Sequence, residues 1–153
     1  MDGVTRPEGY LEDYEVGRTY PLGTAILEED EITAFARRYD PQPFHADPVA
    51  ARDSEFGGVI ASGYQVLAIA MRLMVAAYIS PRASIVSPGI DEVRWLKPVR
   101  PGDTLSGRVT VEDIRPSASK PDRGILRDFV ELHNQAGEPV LTFFQVDLNP
   151  PVT

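Results

Sequence analysis

The sequence contains no cysteine at all. That excludes disulfides, thiolate nucleophiles and the thiolate-rich zinc sites, and leaves acid/base side chains or plain binding as the chemistry open to it. Positive charge is also scarce, with 15 Lys and Arg against 23 Asp and Glu and a formal net charge of −8. Nucleic-acid binding normally shows a basic stripe, so that class is set aside, and an anionic ligand would need a local patch. Arg94, Lys97 and Arg100 form one candidate, and Lys120, Arg123 and Arg127 another. No long hydrophobic run is present: the longest charge-free apolar stretch, Gly57 to Met71, is broken by Ser62, Gly63 and Gln65. A membrane-spanning helix needs about 20 mostly apolar residues, so none is expected. The opening MDGVTRPEGYLEDYE is acidic and lacks the apolar core of a signal peptide, which makes the cytoplasm the expected location.

The 153 residues, 42% hydrophobic and 25% charged, fit a single domain over 1–153 with its core at about 10–149. Glu29, Asp30 and Glu31 precede Ile32, Phe35, Ala36 and Tyr39, with Arg37 and Arg38 after them. This is helical spacing with charges matched to both ends of the dipole, and Pro41 stops it. Asp40 is then placed at a helix C-terminus, where the dipole is expected to raise its pKa. Asp47 followed by Pro48 predicts the N-cap of a short helix. Ser62 with Gln65 three residues on has the capping-box pattern and opens a helix over Val66–Ile79. Apart from Arg72 that run is apolar on every side, which predicts a buried helix with a sheet around it.

The sheet is expected from alternating segments. Thr19 to Ile26 supplies one strand, Val93, Trp95 and Val99 begin another, Leu105, Val109 and Val111 mark a third, and Val140, Phe144, Val146 and Leu148 are read as one face of a later one. The order predicts an α+β fold, a curved antiparallel sheet wrapped around one long helix. One copy of such a sheet leaves apolar surface, so at least a homodimer is expected.

Asp40 and His45 lie five residues apart in a proline-punctuated loop. A hydration needs two such groups, one to take a proton from water and one to hold or deliver a proton at the neighbouring carbon. Extended, the segment would separate them by roughly 15 Å, so it must bend. The alternative is that Asp40 caps a turn and His45 is an ordinary loop histidine. Ser62 and Gly63 begin the long helix, where free backbone N–H groups could meet a carbonyl oxygen. Ser62 is not in a Gly-x-Ser-x-Gly elbow and is not read as a nucleophile. His133 is read as a strand residue facing solvent, and His45 with Asp47 as too few ligands for a metal.

Three ordered segments carry a resemblance: Asp40-Pro-Gln-Pro-Phe-His45, Phe56-Gly-Gly-Val-Ile-Ala-Ser-Gly63, and Val93-Arg-Trp-Leu-Lys-Pro-Val-Arg-Pro-Gly-Asp103. Together they make the chain resemble the MaoC-like dehydratases of the hotdog fold, which include the (R)-specific enoyl-CoA hydratases. The resemblance implies reversible hydration of a 2-enoyl thioester to the 3-hydroxyacyl thioester, with Asp40 and His45 holding the water and Gly63 in the oxyanion hole. It implies no metal or redox cofactor, coenzyme A as part of the substrate, and a dimer with sites at the subunit interface. The chain departs from the family at Gln42, where Asn is usual, and at Ser62, where His is frequent. A hotdog thioesterase and a noncatalytic thioester-binding module are the alternative readings.

Overall fold

The computed structural model describes residues 5–152, so the first residues of the acidic N-terminal stretch lie outside the described part. Strand β1 (Thr19–Ile26) leads into helix α1 (Glu29–Tyr39), two short helices α2 (Pro43–Ala46) and α3 (Pro48–Arg52), and the long helix α4 (Gly63–Ala77). Four strands follow: β2 (Val86–Trp95), β3 (Thr104–Pro116), β4 (Gly124–His133) and β5 (Pro139–Asn149). All pairings are antiparallel, in the order β1-β3-β4-β5-β2. This is the α+β arrangement expected from the pattern.

The core lies between the concave face of the sheet and α4. Val66, Ile69, Ala70, Leu73 and Met74 on the helix pack with Leu105, Val109, Val130, Leu132 and Phe143 on the strands. Each buried aliphatic or aromatic side chain of this kind is worth about 1.5–3 kcal/mol. Curvature begins at β1, where a register shift between Pro21 and Gly23 forms a bulge. Gly23 sits there at φ 81°, a conformation that side-chain-bearing residues rarely adopt.

Three expectations change. Helix α4 is not buried all round: Tyr64, Ala68, Met71, Arg72 and Val75 are exposed along one face, because five strands of one chain cover only the other. Strand β2 starts seven residues before Val93, and nine of its ten residues are exposed, so no alternation marked it. The inward face of β5 is not Val140, Phe144, Val146 and Leu148. Val140 and Leu141 are both buried beside a register shift at Leu132/His133, and beyond them Phe143, Gln145, Asp147 and Asn149 point inward.

Two of those inward polar groups, Gln145 and Asp147, lie beside Asp128, which bonds the C-cap residue of α4. The Tyr78 hydroxyl donates to Asp128 Oδ1 at 2.9 Å, and Gln145 Nε2 donates to Asp147 Oδ1 at 2.9 Å and to Ser87 Oγ at 2.8 Å. Asp128 is completely buried, and neither its Oδ2 nor Gln145 Oε1, on the residue directly opposite, has a hydrogen-bond partner. Burial pushes the Asp128 carboxyl well above the usual carboxylate range, against the Tyr78 hydrogen bond and with the help of Asp147. Burial raises Asp147 as well.

Candidate active site

Local chemistry brings Asp40 and His45 together. Asp40 is the C-cap of α1, its N–H bonded to Ala36 O at 2.9 Å. Pro41 prevents the helix from continuing, and Pro43 at the first position of α2 favours one tight turn. That turn supplies the bend that an extended segment would lack. Asp40 Oδ2 lies 3.4 Å from His45 Nε2, with the two side chains 17% and 8% exposed. Asp47 caps α3 as expected, its Oδ1 accepting from Val49 N at 2.9 Å.

The other imidazole nitrogen is committed. His45 Nδ1 lies 2.6 Å from Ile60 O. A carbonyl only accepts, so Nδ1 carries the hydrogen and donates it to Ile60 O, which leaves Nε2 facing Asp40. Phe44 stacks edge-on against the imidazole at 4.5 Å and fixes its plane further.

Asp40 is clamped by two donors. Gln42 Nε2 donates to Oδ1 at 2.7 Å, and the Ser62 hydroxyl donates to Oδ2 at 2.7 Å. These two hydrogen bonds, Gln42 first and Ser62 second, hold the Asp40 carboxyl below the usual range, with a smaller contribution from His45. The expected rise from the helix dipole is therefore reversed: direct hydrogen bonds to the charged form outweigh a diffuse partial charge. The capping-box expectation is corrected too. The Ser62 side chain does not cap α4, and Gln65 Nε2 bonds Glu31 O at 3.2 Å, so both residues serve tertiary contacts. Gln42 and Ser62, the two departures from the resembled pattern, both hold Asp40.

Gly63 opens α4, and its N–H has no hydrogen-bond partner among the described residues. Its neighbour across the helix end is Trp95, whose indole N–H donates to Gly63 O at 2.8 Å. A Cβ on Gly63 would fall 2.6 Å from the indole ring, so any side chain there would have to displace Trp95. Asp40, Gln42, His45, Gly63 and Trp95 line one cavity of about 380 Å³, closed on its apolar side by Ile60, Ala61, Val66, Val99 and Val140. A larger cavity of about 480 Å³ lies among Leu11, Ile114, Pro116 and Pro121 and contains no imidazole.

The remaining candidates stay apart from this cavity. His133 ends β4, partly exposed, 3.8 Å from Glu131 on its own strand. Among the described residues no group of three His, Cys, Asp or Glu could hold a metal ion. No described helix is long and apolar enough to cross a membrane. Of the basic residues, Lys97 lines the cavity but pairs with Glu138, while Arg123 and Arg127 pair with Asp122 and Asp91. Sequence reasoning missed Trp95 as a cavity residue; its place two residues before the Lys97-Pro98-Val99 segment was the available signal.

Residues 12–128 match the MaoC like domain family. The chain belongs to the MaoC-like dehydratase family. It is similar to the MaoC-like dehydratase from Rhodospirillum rubrum, whose crystal structure superposes with a TM-score of 0.86 at 40% identity, covering 94% of this chain and 98% of that one. It is 31% identical over 125 residues to the uncharacterized protein YdeM of Bacillus subtilis, covering 82% of this chain and 87% of that protein. The unliganded R-hydratase PhaJ1 of Pseudomonas aeruginosa shares the hotdog fold, with a TM-score of 0.77 at 24% identity over 96% of this chain and 88% of that one.

Proposed function

We propose that the protein reversibly adds water across the C2=C3 double bond of a 2-enoyl thioester carried on coenzyme A. One observation carries the reading: an imidazole nitrogen and a carboxylate oxygen, 3.4 Å apart, line a cavity that also holds the first residue of an apolar helix. Two adjacent acceptors suit a water that gives one hydrogen to each. Asp40, held ionised by two donors, is a poor proton acceptor, so it orients the water. His45 Nε2 takes the proton as the oxygen bonds to C3. The electron pair of the double bond moves onto the thioester oxygen, where the Gly63 N–H stabilises the enolate, an effect worth about 3 kcal/mol for a well-aimed donor. The resulting imidazolium, steadied by Asp40, returns the proton to C2, giving the 3-hydroxyacyl thioester and regenerating the pair. Neighbouring atoms receive the water's two parts, and one residue handles the proton.

The working unit in this proposal is a homodimer. Tyr64, Met71 and Val75 expose an apolar face of α4 beside the unpaired edge of β2, where Ile90 and Trp95 are also exposed. An open edge strand next to apolar helix surface suits a second copy of the chain. Light scattering should give a dimer, and Val75→Glu should shift it towards a less active monomer; a fully active wild-type monomer would overturn the assembly. The reaction itself is tested with 2-butenoyl-CoA: loss of the conjugated double bond without release of free thiol is expected. Thiol release would indicate a thioesterase instead.

A further inference from the structure

Trp95, the only tryptophan of the sequence, is aimed by a backbone irregularity. The β2–β5 register shifts between Asp91 and Arg94, and Glu92 within that bulge has φ 51°, the only positive φ at a non-glycine among the described residues. An extra strand residue turns the side chains that follow, and bulges of this kind serve to re-aim a residue near a site. Here the consequence is a ring laid across the start of α4. Its N–H is tied to Gly63 O, its edge occupies the place of a Gly63 side chain, and the Tyr64 ring flanks it at 5.8 Å.

We infer that Trp95 is a specificity-determining wall of the thioester site, one that excludes acyl groups branched at C2. The inference rests on the thioester reading above, in which the carbonyl oxygen meets the Gly63 N–H. Anchoring the oxygen there leaves C2 two bonds away, next to the residue on which the indole rests. C3 must still reach the water between Asp40 and His45. An unbranched acyl group meets both demands with a narrow profile beside the ring. A methyl on C2 widens the group at the atom held nearest to Trp95, and the indole, fixed by its hydrogen bond and by Tyr64, cannot withdraw without breaking that bond.

The test compares butanoyl-CoA with 2-methylpropanoyl-CoA, isomers that carry the fourth acyl carbon on C3 or on C2 and have no double bond to hydrate. Binding is measured by calorimetry on the full chain. Wild type should favour the unbranched isomer by about tenfold or more, the range for one misplaced methyl group in a pocket. Trp95→Leu should bring the two within about twofold, and Trp95→Phe should lie between, providing the test if the leucine variant does not fold. Because Trp95 is the sole tryptophan, wild-type indole emission should also change saturably with butanoyl-CoA. Binding of both isomers with the same preference in wild type and variants, or calorimetric binding without any change in emission, would overturn the assignment of Trp95. Failure of wild type to bind either thioester would overturn the thioester reading, and this inference with it.

Discussion

The two ends of helix α4 each hold a buried or half-buried aspartate, and they treat it in opposite ways. At the N-terminal end Asp40 receives two hydrogen bonds from Gln42 and Ser62, faces a cavity and is kept ionised. At the C-terminal end Asp128 is fully enclosed, receives one hydrogen bond from Tyr78, leaves an oxygen without a partner and is pushed towards the neutral acid. Residue type does not separate the two sites. What separates them is the number of donors and access to solvent, the same balance that decides whether a carboxylate is a charged tool or a buried polar group.

The contrast breaks most visibly if the charged end is altered. Asp40→Asn and His45→Ala should each lower turnover of 2-butenoyl-CoA by about 10² or more while leaving the fold intact. The double variant should be little worse than the less active single variant, because in the proposed mechanism the pair acts on one water. Steady-state kinetics alongside circular dichroism decides this; losses that multiply would mean two independent roles.

A smaller effect is expected from loosening the clamp. Ser62→Ala removes a donor that depresses the Asp40 pKa, so the carboxyl should titrate at higher pH and the acidic limb of the rate profile should move up. Activity near neutral pH should fall less than in Asp40→Asn. A pH–rate profile unchanged on its acidic side would show that Asp40 does not titrate in that limb.

Altering the opposite end should leave turnover alone and change stability. The folded Asp128 pKa is raised, so its contribution to stability is fully present below the unfolded value of about 3.9 and is lost as pH rises towards the folded value. Asp128→Asn keeps the shape, carries no charge and supplies N–H donors where Asp128 Oδ2 and Gln145 Oε1 stand unpaired. Its Tm relative to wild type should therefore increase as pH rises above about 4. A Tm difference that is independent of pH would place the proton elsewhere. Asp40, with its pKa lowered, acts in the reverse sense: its contribution is present above the unfolded value and lost as pH falls through the folded one.

Much of this architecture was legible where one chemical signal dominated. The charges and apolar spacing of Glu29–Tyr39 gave α1, Asp47-Pro48 gave the start of α3, and the apolar run after Gly63 gave the long helix. Pairing of Asp40 with His45 was legible as a possibility, since the prolines required a bend that α2 makes. What failed to show were features decided by distant contacts. Ser62 and Gln65 match a cap, but each finds a partner more than twenty residues away. On β5 the inward face carries Gln145, Asp147 and Asn149, so hydrophobicity pointed to the wrong side. On β2 exposure of both faces removed any alternation, and the bulge that aims Trp95 had no marker of its own.

The central claim is that Asp40 and His45 together add water to a 2-enoyl thioester. Its most direct measurement follows both products at once, the loss of the conjugated double bond of 2-butenoyl-CoA and the appearance of free thiol, in wild type and in the folded His45→Ala protein. The account predicts double-bond loss without thiol release in wild type, and a rate lower by about 10² or more in the variant. Near wild-type hydration by folded His45→Ala, or thiol release by the wild-type protein, would contradict it.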